Sequence, residues 1–339
     1  MATGLAYHRD YLLHRQPRGH PERPERLTAI LGNLERTGLI GRLTLIEPAP
    51  ASLEDVLRVH TQAHVEGLRR TSEAGGGFLS PDTYVSPETY RIAMLAAGGL
   101  LSAADAILAG VVGNAFALVR PPGHHAESDE AMGFCYLNNA AVCARYLQTK
   151  HGLGRIAIVD WDAHAANGTT QIFAADPTVL VATIHQDPKT LYPGTGFISE
   201  VGEDKGKGFT VNIPVPPGSG DAEYAYIFDK FLEDKLMDFA PDFIIASAGM
   251  DSHSGDPLAN LTLTQTGYAY MTERLMAWCK RACGSRLLVE LEGGYNLATL
   301  AESVHAGIET LMGEKAPAIR GRVNEGVRDL VEELRSLHD

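Results

Sequence analysis

The chain has 339 residues, of which 45% are apolar and 21% are charged, so it can bury a large core. Its net charge of −13 and its lack of a basic block argue against a nucleic-acid or membrane surface, because both need clustered Lys and Arg. The N-terminal residues lack a signal-peptide pattern, and no run of about 18 apolar residues predicts a membrane span. Four cysteines are too few for a disulfide framework, so we expect a cytoplasmic protein.

Short apolar runs recur along the chain and predict strands, with stretches of helical pattern between them that predict helices. The predicted strands are Gly4–Tyr7, Phe116–Val119, Ile156–Val159, Val179–Ile184, Thr210–Ile213, Phe243–Ser247 and Leu287–Glu290. The predicted helices include Ala93–Leu108, Asn139–Thr149, Tyr224–Phe239 and Thr266–Ala282. This alternation indicates a central, mostly parallel β-sheet flanked by helices. No linker or repeat divides the sequence, so we expect a single α/β domain over residues 1–339.

Four of the predicted strands end directly in polar or glycine-rich segments. These segments are Arg120–His125, Asp160–His164, Ser247–Asp251 and Glu290–Tyr295. In open α/β sheets the ligand crevice lies at the carboxyl ends of the strands. We therefore expect all four segments to meet at one edge of the sheet, and this convergence carries more weight than any single motif.

Asp162 and His164 follow a strand and are two residues apart, so in an extended segment their side chains point to the same side. With Asp251 they would supply three oxygen and nitrogen ligands and leave a fourth position open, which is the form of a catalytic zinc site. The same ligands also suit Fe(II), Co(II) or Mn(II). Taken alone, an Asp-x-His is usually a turn, and Asp251 is equally well explained as a helix N-cap.

His124 and His125 follow a rigid Pro-Pro-Gly turn. Adjacent histidines rarely bind one ion together, but one can act as a general base while the other supplies a proton or a positive charge. Asp160 and Asn167 are available as orienting partners, and unlike partners should separate the two pKa values. A His-His pair by itself is more often part of a surface loop.

Tyr295 follows two glycines, which let the backbone pass close to a ligand and turn the phenol inward. A phenol that faces a metal would stabilise the oxyanion of a tetrahedral intermediate. For the tripeptide alone, an ordinary turn tyrosine is the simpler explanation. The four segments together nevertheless favour a catalytic metal site.

These motifs resemble the arginase/deacetylase superfamily and, within it, the zinc-dependent histone deacetylase family. The resemblance extends over roughly residues 3 to 310, and the motifs occur in the family's order. Three features look more like class II members and bacterial histone deacetylase-like amidohydrolases than like class I. They are the Asp-Trp-Asp motif, the Glu-Gly-Gly-Tyr motif and Asn167. The matching motifs are His20–Pro24, Arg120–His125, Gly133–Asn139, Asp160–Asp162, Pro193–Gly196, Ser247–Asp251 and Glu292–Tyr295.

The resemblance implies one zinc ion, Zn2+, held by Asp162, His164 and Asp251. It also implies a structural monovalent cation, potassium or sodium, to which Asp160 and Thr183 contribute. The fold implied is the single-domain arginase/deacetylase fold, which agrees with the α/β pattern of the sequence.

The resemblance also implies the catalytic roles. His125 is similar to the histidine that serves as general base and acid, and His124 to its partner tuned by Asp160. Asn167 is then the expected neutral partner of His125. Tyr295 resembles the group that polarises the acyl carbonyl. The reaction implied is hydrolysis of a secondary amide by metal-activated water.

Five residues would contact the substrate by the same resemblance. Phe134 and Tyr192 would form the walls of an acyl-lysine tunnel, and Gly133 would offer its carbonyl. Asp82 would hold the substrate's main chain. Leu258 stands where acetylpolyamine enzymes carry an acidic residue, so the rim is expected to be neutral.

The sequence departs from the family pattern in two places. Ala165 and Ala166 stand where most relatives carry His-Gly, which removes hydrogen bonding near His164 and is expected to lower activity or metal affinity by about 10–100-fold. Tyr192 adds a hydroxyl to a tunnel wall that is usually apolar. This change is expected to alter which acyl group is preferred.

The expected function is removal of an acyl group, such as acetyl, from the side-chain amine of acyl-lysine in a peptide or protein. An acetylpolyamine or another small acylamine is the alternative substrate. The third hypothesis is a metal-binding, non-catalytic homologue, and Ala165 and Ala166 are its best support. The oligomeric state stays open, and a homo-oligomer is compatible with the sequence.

Overall fold

The computed structural model describes residues 2–338 and is built around one eight-stranded sheet, in which all neighbouring strands run parallel. A separate antiparallel hairpin is formed by the third and fourth strands. The strands of the described chain are β1 (Thr3–Ala6), β2 (Thr44–Ile46), β3 (Gly77–Ser80), β4 (Thr83–Val85), β5 (Asn114–Ala117), β6 (Ile156–Asp160), β7 (Val179–Gln186), β8 (Thr210–Val215), β9 (Phe243–Ala248) and β10 (Leu287–Leu291). The order across the large sheet is β2-β1-β5-β10-β9-β6-β7-β8.

Helices cover both faces of this sheet, as expected where parallel strands are joined by crossover connections. They are α1 (Glu25–Arg36), α2 (Leu53–Leu57), α3 (Gln62–Glu73), α4 (Thr89–Leu108), α5 (Asn139–His151), α6 (Asn167–Phe173), α7 (Asp221–Ile227), α8 (Glu233–Phe239), α9 (Gln265–Ala282), α10 (Leu297–Leu311) and α11 (Glu325–His338). Every residue of the central strands β6, β7, β9 and β10 is buried. That burial explains why these strands consist of continuous apolar runs rather than alternating ones.

The predicted fold class is confirmed, and all seven predicted strands are present with ends shifted by at most two residues. The helical pattern predicted over Tyr224–Phe239 is confirmed, because the backbone is helical throughout, but it is not one regular α-helix. The chain there forms α7 and α8, separated by a π-helical turn at Phe228–Leu232. Helix α11 packs against this turn, so a tertiary contact accompanies a helical irregularity that the local pattern does not encode.

Helix α4 is long and apolar enough to cross a membrane, by length and composition. In the fold, however, 72% of its apolar window is buried inside the protein. It packs against β1, β5 and α5. The helix predicted over Ala93–Leu108 is therefore confirmed, and it is a core helix of the fold.

The sheet order places the four polar segments side by side. Strands β5, β10, β9 and β6 are consecutive neighbours, and each is followed by one of the segments. Because the strands are parallel, all four segments leave from the same edge. The expected convergence is confirmed.

Candidate active site

Asp162, His164 and Asp251 form one buried cluster at the carboxyl edge of the sheet. The first two lie in the loop after β6, and Asp251 lies in the loop after the neighbouring strand β9. His164 Nδ1 lies 3.0 Å from Asp162 Oδ1 and 3.1 Å from Asp251 Oδ2. The ligand atoms all lie within 4.8 Å of one another. Two carboxylates and one imidazole thus converge on one point, as in a three-ligand metal site.

The carboxylates of this cluster favour a positive charge between them. Burial and the adjacent Asp162 carboxylate raise the pKa of Asp251 to about 7. Burial alone would lower the pKa of His164, but hydrogen bonds to both carboxylates raise it to about 10. The imidazole therefore holds a proton between two acids. A divalent ion would supply that positive charge instead and would bind the neutral imidazole, so the donor set fits a divalent metal.

Glycines at two positions let the backbone pass directly against the ligands. The N–H of Gly293 donates to Asp162 Oδ2 at 2.8 Å. A side-chain carbon at Gly293 would overlap the carboxylates of both Asp162 and Asp251, and one at Gly249 would overlap Asp162. The N–H of Ala163 donates to Asp251 Oδ1 at 2.9 Å. Backbone donors therefore orient both acids.

His124 and His125 lie beside this cluster, with their ring centroids 4.0 Å apart. His124 Nδ1 lies 3.1 Å from Asp160 Oδ2, and His125 Nδ1 lies 2.7 Å from Asn167 Oδ1. His124 Nε2 is 3.8 Å from Asp162 Oδ1. The structure thus gives one histidine an acidic partner and the other a neutral partner.

These unlike surroundings separate the two imidazoles in charge. Burial opposes a charge on His124, but the carboxylates of Asp162 and Asp160 outweigh it and raise the pKa of His124 well above its ordinary value. Burial and the positive charges of His124 and His164 hold the pKa of His125 well below its ordinary value. A charged His124 therefore lies next to a neutral His125, whose free nitrogen can accept a proton.

A cavity of about 240 Å³ leads to the cluster and is lined by all five residues that the sequence assigned to the substrate, namely Asp82, Gly133, Phe134, Tyr192 and Leu258. His125, His164 and Tyr295 line the same cavity. The Tyr192 ring lies 5.2 Å from His125 and 6.4 Å from His164, between ring centroids, and is 40% exposed. The cavity therefore joins the metal ligand, the candidate base and a phenol to the surface.

Tyr295 is fixed by two residues that the sequence did not single out. Its backbone N–H donates to Asp256 Oδ2 at 2.6 Å. The guanidinium of Arg26 lies over its ring, 5.0 Å from the centroid, and Arg26 Nε also donates to the carbonyl of Gly294 at 2.6 Å. Burial raises the pKa of Tyr295 well above its ordinary value, so the phenol remains a hydrogen-bond donor.

Asp82 makes hydrogen bonds that tie the β3–β4 hairpin to the active-site loop. Its Oδ1 accepts from Ser80 Oγ and Thr83 Oγ1, each at 2.9 Å, and from the N–H of Gly133 at 3.3 Å. The carboxylate therefore holds the Gly133 loop in place. It is also the one acid among the residues that line the cavity.

Asp160 and Thr183 are register neighbours on β6 and β7. Asp160 Oδ1 accepts from the N–H of Asp162 at 2.9 Å, and Thr183 Oγ1 lies 3.0 Å from His185 Nδ1. The structural monovalent cation at these two residues stays a prediction.

Ala165 and Ala166 are both buried next to the site. A side-chain carbon at Gly196 would overlap Ala165 and His185, so the Gly196 loop packs tightly over Ala165. A histidine at position 165 would need that loop to move. The lowered activity or metal affinity expected from these two alanines stays a prediction.

Sequence reasoning missed the role of a buried carboxylate at the end of β10. Glu292 Oε2 accepts from the backbone N–H of Gly123 at 2.7 Å and of His124 at 3.3 Å. This anchor fixes the turn that presents the histidine pair. A buried acid directly after a strand, inside a motif already noted, was the signal that could have revealed it.

The chain matches the histone deacetylase domain over residues 20–311. It is 46% identical over 314 residues to a probable deacetylase of Archaeoglobus fulgidus, covering 92% of this chain and 86% of the relative. It is 39% identical over 314 residues to a histone deacetylase-like amidohydrolase of Pseudomonas aeruginosa, covering 93% and 81%. The polyamine deacetylase HDAC10 of Homo sapiens is 39% identical over 338 residues, covering 95% and 50%. A crystal structure of the HDA15 HD domain matches with a TM-score of 0.92 and 38% identity, covering 99% and 94%.

The parallel sheet, the buried acid–histidine cluster and these relatives define a deacetylase or amidohydrolase. The chain belongs to the histone deacetylase family, as the match across residues 20–311 shows. The expected resemblance is thereby confirmed.

Proposed function

We propose that the protein is a cytoplasmic, zinc-dependent deacylase that removes an acetyl or related acyl group from the side-chain amine of acyl-lysine. The observation that carries the proposal is the Asp162–His164–Asp251 cluster, whose ligand atoms lie within 4.8 Å of one another. His164 lines a cavity together with His125 and Tyr295. One ligand, the base and the oxyanion donor are thus accessible from one cavity.

The residues of the chain divide the chemistry among them. Zinc, when bound to the cluster, supplies a Lewis acid that polarises the acyl carbonyl and activates water. Neutral His125 takes a proton from the attacking water at Nε2 and returns it to the departing amine. Tyr295 donates its phenol proton in a hydrogen bond to the oxygen on which negative charge develops. His124, charged beside Asp160, offsets that negative charge.

The substrate is assigned from the residues of the cavity. Leu258, Phe134 and Tyr192 line the cavity with apolar or aromatic surface. Such walls suit the four-carbon stem of an acyl-lysine. An acetylated polyamine has a similar methylene stem but carries a cationic nitrogen beyond it, which the neutral Leu258 does not attract. Asp82 fixes the Gly133 loop, so the carbonyl of Gly133 would contact the acylated end of the substrate.

One observation favours a second candidate, an acetylpolyamine. Asp82 places a carboxylate in the cavity, and a carboxylate attracts a cationic substrate. The relative HDAC10 of Homo sapiens is named a polyamine deacetylase. Asp82 Oδ1 accepts three hydrogen bonds that hold the Gly133 loop, and Leu258 adds no second carboxylate to the cavity, so we rank this candidate second.

The test is turnover of the zinc-loaded protein on an acetyl-lysine peptide and on an acetylated polyamine, each with a chelator-treated control. We expect a higher kcat/KM for the peptide and loss of both activities on chelation. A preference for the polyamine would overturn the assignment of acyl-lysine. No turnover of either substrate by the metal-loaded protein would favour a non-catalytic homologue.

A further inference from the structure

The amide of Asn167 has a carbonyl oxygen and an NH2 group, and only one of its two orientations toward His125 suits the proposed catalysis. Its Oδ1 lies 2.7 Å from His125 Nδ1. With the carbonyl end toward the ring, Nδ1 must carry the proton, so Nε2 has a free lone pair. If the amide were rotated by half a turn, its NH2 group would face Nδ1, and the ring proton would move to Nε2. The orientation of one amide thus selects the tautomer of His125.

The opposite end of the amide is held by Glu127. Asn167 Nδ2 donates to Glu127 Oε1 at 2.8 Å, and the carbonyl of His125 and the sulfur of Met132 are weaker acceptors at 3.4 Å and 3.3 Å. In the rotated amide, Oδ1 would face the Glu127 carboxylate, so two acceptors would oppose each other without a proton between them. Glu127 therefore disfavours the rotated form.

The backbone of Glu127 is itself fixed by the fold. Its N–H donates to the carbonyl of Glu130 at 2.9 Å. Its own carbonyl lies 2.9 Å from His60 Nδ1, and His60 Nε2 accepts from the N–H of Asn138 at 2.8 Å. Since Nε2 is an acceptor, Nδ1 of His60 must be the donor to Glu127. His60 thus holds the backbone of Glu127, whose side chain accepts from Asn167, and Asn167 in turn accepts from His125.

We propose that Glu127 is a positioning residue, which fixes the amide of Asn167 and thereby keeps His125 in the tautomer whose Nε2 can accept a proton. This inference rests on the proposed deacylase function. Glu127 does not line the acyl cavity, and it reaches the reacting atoms only through Asn167 and His125. It lines a separate groove of about 590 Å³ together with Asn167, so shortening its side chain leaves no enclosed void.

The first test compares variants of the zinc-loaded protein on the better of the two acyl substrates. Glu127→Ala should lower kcat by at least about tenfold and leave KM and metal content unchanged, because losing a partner that orients an active-site histidine typically costs 10–100-fold. Glu127→Gln keeps an oxygen for Asn167 Nδ2, but its amide can also donate to a rotated Asn167, so its kcat should fall between those of Glu127→Ala and wild type. Glu130→Ala, an exposed acid in the same loop, is the matched control and should behave as wild type.

The second test places the same change in an Asn167→Asp background. A carboxylate at position 167 offers His125 a hydrogen-bond acceptor in either orientation, so Glu127 is no longer needed to fix the tautomer. The new carboxylate would also lie next to the Glu127 carboxylate and repel it. Glu127→Ala should therefore leave kcat unchanged or raise it in that background, although it lowers kcat in the wild-type background. An equal loss in both backgrounds, or a wild-type kcat for Glu127→Ala, would overturn the positioning role.

A spectroscopic measurement separates this inference from the proposed function. Nitrogen NMR of histidine-labelled, zinc-loaded protein reports which ring nitrogen of His125 carries the proton, whether or not turnover occurs; His125→Gln identifies the signal. We expect Nδ1–H in the wild-type protein and a mixture of tautomers in Glu127→Ala. An unchanged tautomer in that variant would overturn the inference even if the protein is an active deacylase. Absence of turnover with the expected tautomer shift would reject the proposed function alone.

Discussion

Tyr295 contributes a phenol to the cavity that His125 and His164 also line. Burial keeps this phenol protonated, so it can donate to an oxyanion. We expect Tyr295→Phe to lower kcat by about 10²–10³-fold, the usual cost of one oxyanion donor, and to leave metal binding intact because the phenol is not a ligand. Steady-state kinetics and metal analysis of the same preparation provide the check. Turnover equal to wild type would remove the oxyanion role from Tyr295.

Leu258 is the residue at which charge would most directly change substrate choice. It lines the cavity as a neutral side chain, and an added carboxylate would attract a cationic substrate. We expect Leu258→Glu to raise kcat/KM for an acetylated polyamine relative to an acetyl-lysine peptide by about tenfold, or about 1.4 kcal/mol. Leu258→Gln, similar in size without the charge, should leave the ratio near wild type. Equal ratios in the two variants would mean that charge at this position does not select the substrate.

At the scale of elements, the loop after β10 presses its backbone against the Asp162 and Asp251 carboxylates at Gly293. We expect Gly293→Ala to push the Asp162 and Asp251 carboxylates apart and to lower metal affinity by about 10–100-fold, as other changes next to metal ligands do. Competition with a fluorescent chelator measures the affinity. Gly32→Ala in α1, where an added methyl meets no atom within 4 Å, is the control and should bind metal as wild type does. Equal affinities for the two variants would contradict the close approach at Gly293.

The strands and the four active-site segments could be predicted from the sequence because their signals are local. β6, β9 and β10 are continuous apolar runs, and each ends in a distinct polar motif. Strand β2 has no such signal, because it is a three-residue, half-exposed edge strand. The β3–β4 hairpin is equally short. Their formation depends on neighbours that a local pattern does not contain.

The parts of the site that the sequence did not predict depend on contacts between distant segments. Glu127 meets the side chain of Asn167 across 40 positions of sequence, and Arg26 lies over a ring 269 positions away. Neither residue stands at the end of a strand. The ligands, by contrast, are strand-end residues, so the sheet order alone brings them together.

At the scale of the whole molecule, a row of polar side chains crosses the centre of the sheet. Glu290 on β10, Ser247 on β9 and Asp160 on β6 are register neighbours, and Ser247 Oγ donates to Glu290 Oε1 at 3.1 Å. Burial and the charge of Glu292 raise the pKa of Glu290 well above its ordinary value. The folded protein therefore keeps a proton on Glu290 that the unfolded chain releases above about pH 4.5.

The sign of the effect on stability follows from that proton. Because the folded state binds it more tightly, the contribution of Glu290 to stability is complete below about pH 4.5 and is lost as pH rises, by up to about 1.4 kcal/mol per pH unit. The side chain introduced by Glu290→Gln does not titrate between pH 5 and pH 7. We expect its free energy of unfolding, relative to wild type, to increase between pH 5 and pH 7, measured by urea denaturation. Parallel pH profiles would contradict this, and the exposed Glu332→Gln should give a profile parallel to wild type.

Dependence on a bound metal tests the central claim most directly. The account predicts one divalent metal per chain, loss of turnover when a chelator removes it, and recovery when one equivalent of zinc is added. Metal content and turnover of an acetyl-lysine peptide should be measured on the same sample at each stage. Turnover that falls and returns in proportion to occupancy would support the Asp162–His164–Asp251 site as the catalytic centre. Full turnover by protein shown to be metal-free would contradict it.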